Sequence, residues 1–325
     1  MRKVLFPSML VAIAILVTTG IGEAIVRFAA DDGMQFDLEM WKYAKEVKTA
    51  SDDPLIAHEH APNRSARLMG VDVTTNSQGL RDREISVAAE QGTLRIMMLG
   101  DSLTFGWGVA VEDTFSNRVE QMYRQDDVNA EVINTGVGNW NTIQQVQFFL
   151  TKGYRFEPDI VVLNYFVNDA EPVPQSRAPS WLMRHCYLCV FVAGRLDTLK
   201  RLVTEGQSWE EYYLSLYRDG EAPGWKGARA ALERLATYCK KHDIRLVIAS
   251  LPELHDVKNY PFSKVTELLR QTTKDLDLEF VDVLPEMQHE DARRLWVTPP
   301  DPHPNALAHK YIAEGLYRAL RREDG

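Results

Sequence analysis

From Leu94 onward, short apolar runs alternate with longer segments in which apolar residues recur every three or four positions. The short runs have the length of β-strands, and the periodic segments have the repeat of amphipathic helices. The predicted strands are Leu94–Leu99, Ala130–Asn134, Ile160–Tyr165, Arg245–Leu251 and Glu279–Val283. The predicted helices are Thr114–Tyr123, Asn141–Lys152, Lys226–Lys241, Phe262–Leu276 and Asn305–Arg322.

This alternation predicts an α/β fold, a three-layer α/β/α sandwich around a central, mostly parallel five-stranded sheet. In open parallel sheets, ligands bind beyond the carboxyl ends of the strands. Polar motifs that directly follow the predicted strands are therefore the candidates for chemistry.

The amino terminus has a different pattern. Arg2 and Lys3 precede an uncharged, apolar run from Val4 to Ile21, and acidic residues follow from Asp31 onward. A helix needs about 20 apolar residues to cross a hydrocarbon core, and basic residues stay on the cytoplasmic side. Residues 1–28 are therefore predicted to be an uncleaved membrane anchor that leaves the main body outside the cytoplasm, with a cleaved signal peptide as the alternative.

The remaining chain divides into two parts. Residues 29–90 are polar and weakly periodic, which predicts an extended segment packing on the body, and residues 91–325 form the predicted catalytic domain. His58 and His60 in the first part are predicted to lie exposed in a loop. An insertion at about 170–224 is rich in aromatic residues and proline, a composition that suits a lid or substrate wall.

Composition narrows the function. The net charge of −9 argues against nucleic-acid partners, which demand clustered Lys and Arg. Cys186 and Cys189 form a Cys-x-x-Cys pair in an apolar stretch, without a second pair to complete a zinc site. Core packing or a structural disulfide outside the cytoplasm is favoured for this pair over redox chemistry.

The stretch "LGDSLTFG" follows the first predicted strand, with Ser102 directly after Gly100 and Asp101. In one interpretation Asp101 and Ser102 only cap a helix. In the other, Ser102 is a nucleophile, which needs a base within hydrogen-bond reach. The sequence supplies His303 in "DPHPN", before the last predicted helix, with Pro304 in the first turn and His303 as its N-cap.

Four motifs occur in order: "LGDSLTFG", "NTGVGNWN", "FVND" and "DPHPN". Together they resemble the four sequence blocks of the SGNH hydrolases, also called the GDSL esterase/lipase family, over roughly residues 94–322. The resemblance implies a flavodoxin-like sheet, Ser102 as nucleophile and His303 as base. It also implies an oxyanion hole formed by the Ser102 amide, an amide of the second block and the Asn168 side chain. No metal or cofactor is implied.

Two positions depart from the family pattern. The orienting carboxylate usually lies three residues before the histidine, where this chain has Pro300, whereas Asp301 lies only two before His303. Residues two apart share a face of extended backbone, which prolines favour, so a triad with Asp301 is predicted and a Ser–His dyad is the alternative. Asn139 stands where the donor glycine is usual, so the second amide belongs to Gly138 or Asn139.

Three aromatic residues near these motifs are candidates for the substrate pocket: Trp107, Trp140 and Phe166. For the two tryptophans, core packing is the equal alternative. Phe166 replaces a usual family glycine and is expected to narrow the pocket.

The resemblance implies a serine esterase that works through an acyl-enzyme. The expected substrates are O-acetyl groups on cell-envelope carbohydrate, or short acyl and lipid esters. An O-acyltransferase with the same site and a non-catalytic carbohydrate-binding or scaffold protein remain the alternatives. The oligomeric state is left open.

Overall fold

The computed structural model describes residues 2–174, 180–204, 208–299 and 301–321. The strands, in chain order, are β1 (Lys48–Ala50), β2 (His58–His60), β3 (Ser65–Leu68), β4 (Val71–Thr74), β5 (Leu94–Leu99), β6 (Ala130–Asn134), β7 (Ile160–Tyr165), β8 (Arg245–Ser250), β9 (Glu279–Asp282), β10 (Trp296–Thr298) and β11 (Asp301–Pro304). The α-helices are α1 (Arg2–Ile25), α2 (Phe36–Glu46), α3 (Ser102–Phe105), α4 (Phe115–Gln125), α5 (Thr142–Thr151), α6 (Trp181–His185), α7 (Tyr187–Thr204), α8 (Trp209–Ser215), α9 (Pro223–Lys241), α10 (Ser263–Asp275) and α11 (Ala306–Leu320).

The central sheet has the strand order β6-β5-β7-β8-β9, and all its neighbouring strands are parallel. Successive side chains of a strand point to opposite faces, so each strand feeds two apolar layers. Met97 and Leu99 of β5 pack with α5, α9 and α10, whereas Ile96 and Met98 pack with α4 and α11. The predicted α/β/α sandwich with a five-stranded sheet is confirmed.

The topology places the carboxyl end of β5 between those of β6 and β7. Strands β6 and β7 lie on opposite sides of β5, so the direction in which strands are added reverses at β5. A crevice opens at this edge of the sheet where the direction reverses. The motifs after all three strands therefore converge on one site.

The segment before the sheet is more regular than its sequence pattern predicts. It contains helix α2 and two antiparallel hairpins, β1–β2 and β3–β4. The prediction that His58 and His60 lie exposed in a loop is wrong, because both belong to β2 and His60 is 4% exposed. The Tyr43 hydroxyl hydrogen-bonds His60 Nε2 at 2.6 Å, and this partner makes the burial of the ring possible.

Helix α1 continues into a short π-helical turn, and the apolar stretch Ser8–Ala30 is long and apolar enough to cross a bilayer. Only 6% of its apolar window is buried within the protein. The end of this stretch packs on the insertion, where the Glu23 carboxylate accepts hydrogen bonds from the amides of Tyr187 and Leu188 at the start of α7. A disulfide joins Cys186 to Cys189 at the same turn.

Candidate active site

Ser102 is the first residue of α3, at the carboxyl end of β5. Asp101 is the N-cap, and its carboxylate accepts a hydrogen bond from the Leu103 amide at 2.9 Å. The capping interpretation of the motif therefore holds in the structure. It does not exclude the nucleophile, because the cap fixes the turn on which the Ser102 side chain lies.

The His303 imidazole lies next to the Ser102 side chain. Its Nε2 is 3.0 Å from Ser102 Oγ, although the two residues are 201 positions apart in the chain. His303 is held by β11, which pairs with β10 in an antiparallel hairpin. A serine hydroxyl in contact with an imidazole is the arrangement that general-base activation requires.

Asp301 lies on the other side of the imidazole. Its Oδ1 is 2.5 Å from His303 Nδ1 and also accepts the His303 amide at 3.1 Å, so the two-residue spacing brings the groups together. Trp107 Nε1 donates to Asp301 Oδ2 at 3.0 Å. Burial by itself raises the pKa of Asp301, but the hydrogen bonds from His303 and Trp107 outweigh it and leave that pKa below its usual value.

The prediction that His303 caps the last helix is wrong. Asn305 is the N-cap of α11, and its side chain accepts hydrogen bonds from the amides of Leu307 and Ala308. Pro304 belongs to β11 rather than to the first turn of the helix. The hairpin thus positions the imidazole, and the helix begins after it.

The loop after β6 passes directly against α3. A Cβ atom on Gly136 would lie 2.2 Å from the Phe105 nitrogen, so only glycine allows this close approach. Two residues later, the Gly138 amide donates to the Tyr43 hydroxyl at 2.9 Å. Asn139 has a left-handed backbone with φ of 65°, and its amide makes no hydrogen bond within the part of the chain that the structure describes.

The sequence pattern did not point to the side chains that hold this loop. Lys48 Nζ donates to the Gly138 carbonyl at 2.6 Å and to Asn139 Oδ1 at 3.0 Å, and His58 Nε2 is 3.1 Å from the same carbonyl. Burial lowers the pKa of Lys48 to about 7. Burial and the neighbouring Lys48 lower the pKa of His58 to about 4, so at neutral pH its ring donates to the carbonyl as a neutral imidazole.

Asn168 lies in a short 3₁₀ turn, Val167–Ala170, after β7. Its Nδ2 donates to Asp101 Oδ2 at 3.2 Å, which ties it to the turn that carries Ser102. Asp169 is buried and accepts hydrogen bonds from the Phe166 amide and Gln145 Nε2. Burial raises the pKa of both Asp101 and Asp169, and the negative charge of Asp101 raises the pKa of Asp169 further.

A cavity of about 330 Å³ opens over these groups. Its lining contains Ser102, Asn139, Asn168 and His303 together with walls from three other regions: Phe36 and Met40 of α2, Trp209 and Tyr213 of α8, and Pro252–His255 after β8. The insertion thus supplies a wall of the cavity, as its composition predicts.

The three candidate pocket residues have different positions. Phe166 lines the cavity. Trp107 is 1% exposed and does not line the cavity; it donates to Asp301, and its ring lies 6.1 Å from that of His303. Trp140 is 2% exposed, donates from Nε1 to the His58 carbonyl and borders a neighbouring depression beside Asn139.

In the described residues no group of three or more His, Cys, Asp or Glu side chains is arranged to hold a metal ion. The model of the GDSL-like lipase/acylhydrolase family matches residues 98–311, about two thirds of the chain. The chain belongs to this family. It is therefore a hydrolase that acts on ester bonds.

The chain is also similar to several solved structures. The match to TesA covers 70% of this chain and 98% of TesA, with 10% identity and a TM-score of 0.47. The match to the esterase EstA from Pseudoalteromonas sp. covers 70% of this chain and 97% of EstA, with 15% identity and a TM-score of 0.46. The match to Axe2, an acetyl-xylooligosaccharide esterase from Geobacillus, covers 71% of this chain and 95% of Axe2, with 13% identity and a TM-score of 0.48. No curated protein matches the chain in sequence.

Proposed function

We propose that the protein is a serine esterase in which Ser102, His303 and Asp301 form the catalytic triad. The observation that carries this proposal is the unbroken chain of contacts from Ser102 Oγ through the imidazole to the buried Asp301 carboxylate. Asp301 keeps the Nδ1 proton on the ring, so Nε2 is free to accept the serine proton. The Trp107 donor holds the second carboxylate oxygen in place.

The reaction proceeds in two halves. His303 removes the Ser102 proton as Oγ attacks the ester carbonyl, and the protonated imidazole then gives that proton to the departing alcohol. Water attacks the acyl-enzyme and passes a proton to His303. The carboxylic acid leaves, and the proton returns to Ser102 Oγ.

The oxyanion is stabilised by the Ser102 amide, the Asn139 amide and the Asn168 side chain. Asn139 is preferred over Gly138 because the Gly138 amide already donates to Tyr43. The Ser102 amide opens a helix and has no acceptor within it. Donors of this kind are each worth about 10²–10³ in kcat.

The substrate class follows from the walls of the cavity. Acyl group and alcohol share a cavity of about 330 Å³ that Phe166 and Tyr213 border, which suits a short acyl chain such as acetyl. Acetyl esters of cell-envelope carbohydrate are the proposed substrates.

The proposed location is outside the cytoplasm, on a membrane anchor formed by residues 1–28. The exposed apolar stretch Ser8–Ala30 and the basic residues before it support this orientation. A disulfide between Cys186 and Cys189 suits an oxidising compartment. In this arrangement residues 29–90 complete the site, and residues 91–325 form the catalytic domain with its insertion at 170–224.

A series of p-nitrophenyl esters of increasing acyl length tests the proposal. Wild type is expected to turn over acetyl and butanoyl esters faster than the decanoyl ester, and Ser102→Ala is expected to lose about 10³-fold or more in kcat. Ser116→Ala is the matched control, because Ser116 is a buried serine of α4 that does not line the cavity. Equal turnover by wild type and Ser102→Ala would refute the proposal.

A further inference from the structure

The cavity contains a second pairing of histidine and carboxylate, on the wall formed by the loop after β8. Glu253 and His255 line the same cavity as Ser102 and His303. None of the four motifs that mark the esterase site includes this loop. The proposed mechanism gives the pair no role.

The second pair has the same two-residue spacing as the first, and its histidine also contacts the carboxylate through both its amide and Nδ1. The His255 amide donates to Glu253 Oε2 at 2.9 Å, and His255 Nδ1 forms a short hydrogen bond with Oε1 of the same carboxylate. In the first pair, the His303 amide and Nδ1 both contact a single oxygen, Oδ1 of Asp301. The Glu253 side chain is 6% exposed, so the carboxylate is a fixed anchor rather than a solvated surface group.

The two imidazoles differ at Nε2. His303 Nε2 contacts Ser102, whereas His255 Nε2 makes no hydrogen bond to any residue within the described ranges. The His255 side chain is 39% exposed, so a ligand in the cavity can reach it. Because Glu253 holds the His255 ring at Nδ1, Nε2 is available to hydrogen-bond a ligand that enters the cavity.

Two tryptophans fix the plane of this ring. Trp209 of α8 lies against it at a centroid distance of 4.5 Å, and Trp296 meets its edge at 5.2 Å. Trp296 is itself fixed by a 2.8 Å hydrogen bond from Nε1 to the Leu254 carbonyl. Trp209 is 36% exposed and lines the cavity, so it offers apolar aromatic surface next to the polar ring.

The charge of the lining selects the kind of ligand. Among the lining residues that the structure describes there is no Lys or Arg, and the buried carboxylate of Glu253 disfavours anions. The hydrogen bond to Glu253 raises the pKa of His255, but the same carboxylate balances the charge of a protonated ring, so a phosphate or carboxylate group would find no net positive charge here. Aromatic surface beside a positioned hydrogen-bonding ring suits an uncharged, hydroxyl-rich ligand, since sugar rings present both an apolar face and polar edges.

We infer that His255, held by Glu253, and Trp209 form a subsite for the sugar unit on the alcohol side of the ester. Trp209 packs against the sugar ring, and His255 hydrogen-bonds one of its hydroxyl groups. The inference rests on the proposed esterase function and assigns its alcohol specificity to the β8 loop and the insertion.

Two substrates with the same acyl group but different alcohols test the subsite: p-nitrophenyl acetate and O-acetylated xylotriose. For His255→Ala and Trp209→Ala, the KM for acetylated xylotriose is expected to rise about tenfold, the loss that one or two hydrogen-bonding and packing contacts produce. Turnover of p-nitrophenyl acetate by His255→Ala is expected to stay within about twofold, because the p-nitrophenyl group has no free hydroxyl for His255 to bind. His255→Gln keeps a hydrogen-bonding side chain and is the second variant to be measured if His255→Ala disturbs the loop after β8.

His242→Ala is the matched control. His242 also stacks on an aromatic ring, that of Tyr238 at 4.2 Å, but it lies at the end of α9 and does not line the cavity. It should leave both substrates unaffected.

The outcomes separate the subsite from the esterase itself. Equal losses on both substrates, no loss on acetylated xylotriose, or wild type that hydrolyses only p-nitrophenyl acetate would each overturn the subsite and leave the esterase standing. Hydrolysis of p-nitrophenyl acetate that does not depend on Ser102 would overturn the esterase itself.

Discussion

At the scale of single residues, the proposed mechanism makes the reactivity of Ser102 depend on groups that do not touch the substrate. Asp301 is the nearest of these, and Trp107 is one step further away, where its indole N–H donates to the carboxylate oxygen that His303 leaves free. The contact makes Trp107 a positioning residue. It also lowers the pKa of Asp301, because a donor stabilises the ionised form.

Trp107→Phe removes this N–H and keeps most of the aromatic packing. The pKa of Asp301 is expected to rise, and the more basic carboxylate then holds a protonated His303 more strongly. The acid limb of the kcat/KM profile is therefore expected to move to higher pH by about half a unit to one unit. The measurement is a pH–rate profile with p-nitrophenyl acetate. A variant with reduced activity but an unshifted profile would show that Trp107 only packs.

The sequence pattern predicted which motif residues meet at the candidate site more fully than it predicted the side chains that hold those residues in place. Ser102 and Asn168 lie at one edge of the sheet because each follows a predicted strand that is buried, β5 and β7 respectively. His303 lies within β11, and its place beside Ser102 was predicted from the resemblance of the motifs to the family blocks. Asp301 could be placed beside His303 from the extended backbone that prolines impose. The role of Trp107 was not predicted, because no motif marks the hydrogen bond that its indole N–H donates to Asp301.

At the scale of elements, the loop after β6 that carries Gly138 and Asn139 is held by a segment outside the matched family region. Tyr43 of α2 accepts the Gly138 amide, and Lys48 of β1 binds the Gly138 carbonyl and the Asn139 side chain. Phe36 of α2 also stacks on His303 at a centroid distance of 6.1 Å. Residues 36–48 thus contact both this loop and His303 of the candidate site.

Lys48→Met tests this support. The variant is expected to lower kcat about tenfold with little change in KM, because an oxyanion donor acts mainly in the transition state. Lys45→Met is the control, since Lys45 is an exposed lysine of α2 that lies over the Trp41 ring. The melting temperature is measured in parallel. Full kcat in Lys48→Met, or an equal loss in Lys45→Met, would contradict the assignment.

Elements with weak local patterns were the ones that escaped prediction. Strands β5, β6 and β7 have the predicted bounds because continuous apolar runs are buried on both faces. Helix α2 and the β1–β2 hairpin are polar and short, and Tyr43, Lys48 and His58 find partners 80 to 95 positions away in the chain. Such long-range partners leave no periodic signal in the sequence.

At the scale of the whole molecule, the apolar stretch Ser8–Ala30 joins directly to the wall of the site. Its last part packs against the start of α7, where the Glu23 carboxylate accepts hydrogen bonds from two backbone amides. Helix α2 begins six residues after Ala30. Since α2 lines the cavity, the proposed anchor would hold the active site close to the membrane surface.

Carbonate washing of membranes that contain the full-length protein tests the anchor. The protein is expected to stay in the pellet with residues 2–28 still attached, as measured by intact mass, and spheroplasts are expected to expose the body to added protease. Ile15→Asp combined with Leu16→Asp puts two charges into the span at exposed positions and is expected to release the protein. A soluble body that lacks these residues would instead show that the segment is a cleaved signal.

In the proposed mechanism, Ser102 is a nucleophile activated by His303. This activation can be measured by labelling with a fluorophosphonate, followed by intact mass and peptide mapping. One adduct per chain is expected, on Ser102, formed by wild type and strongly slowed in His303→Ala. An unlabelled protein, a label on another serine, or labelling at the same rate without His303 would contradict it.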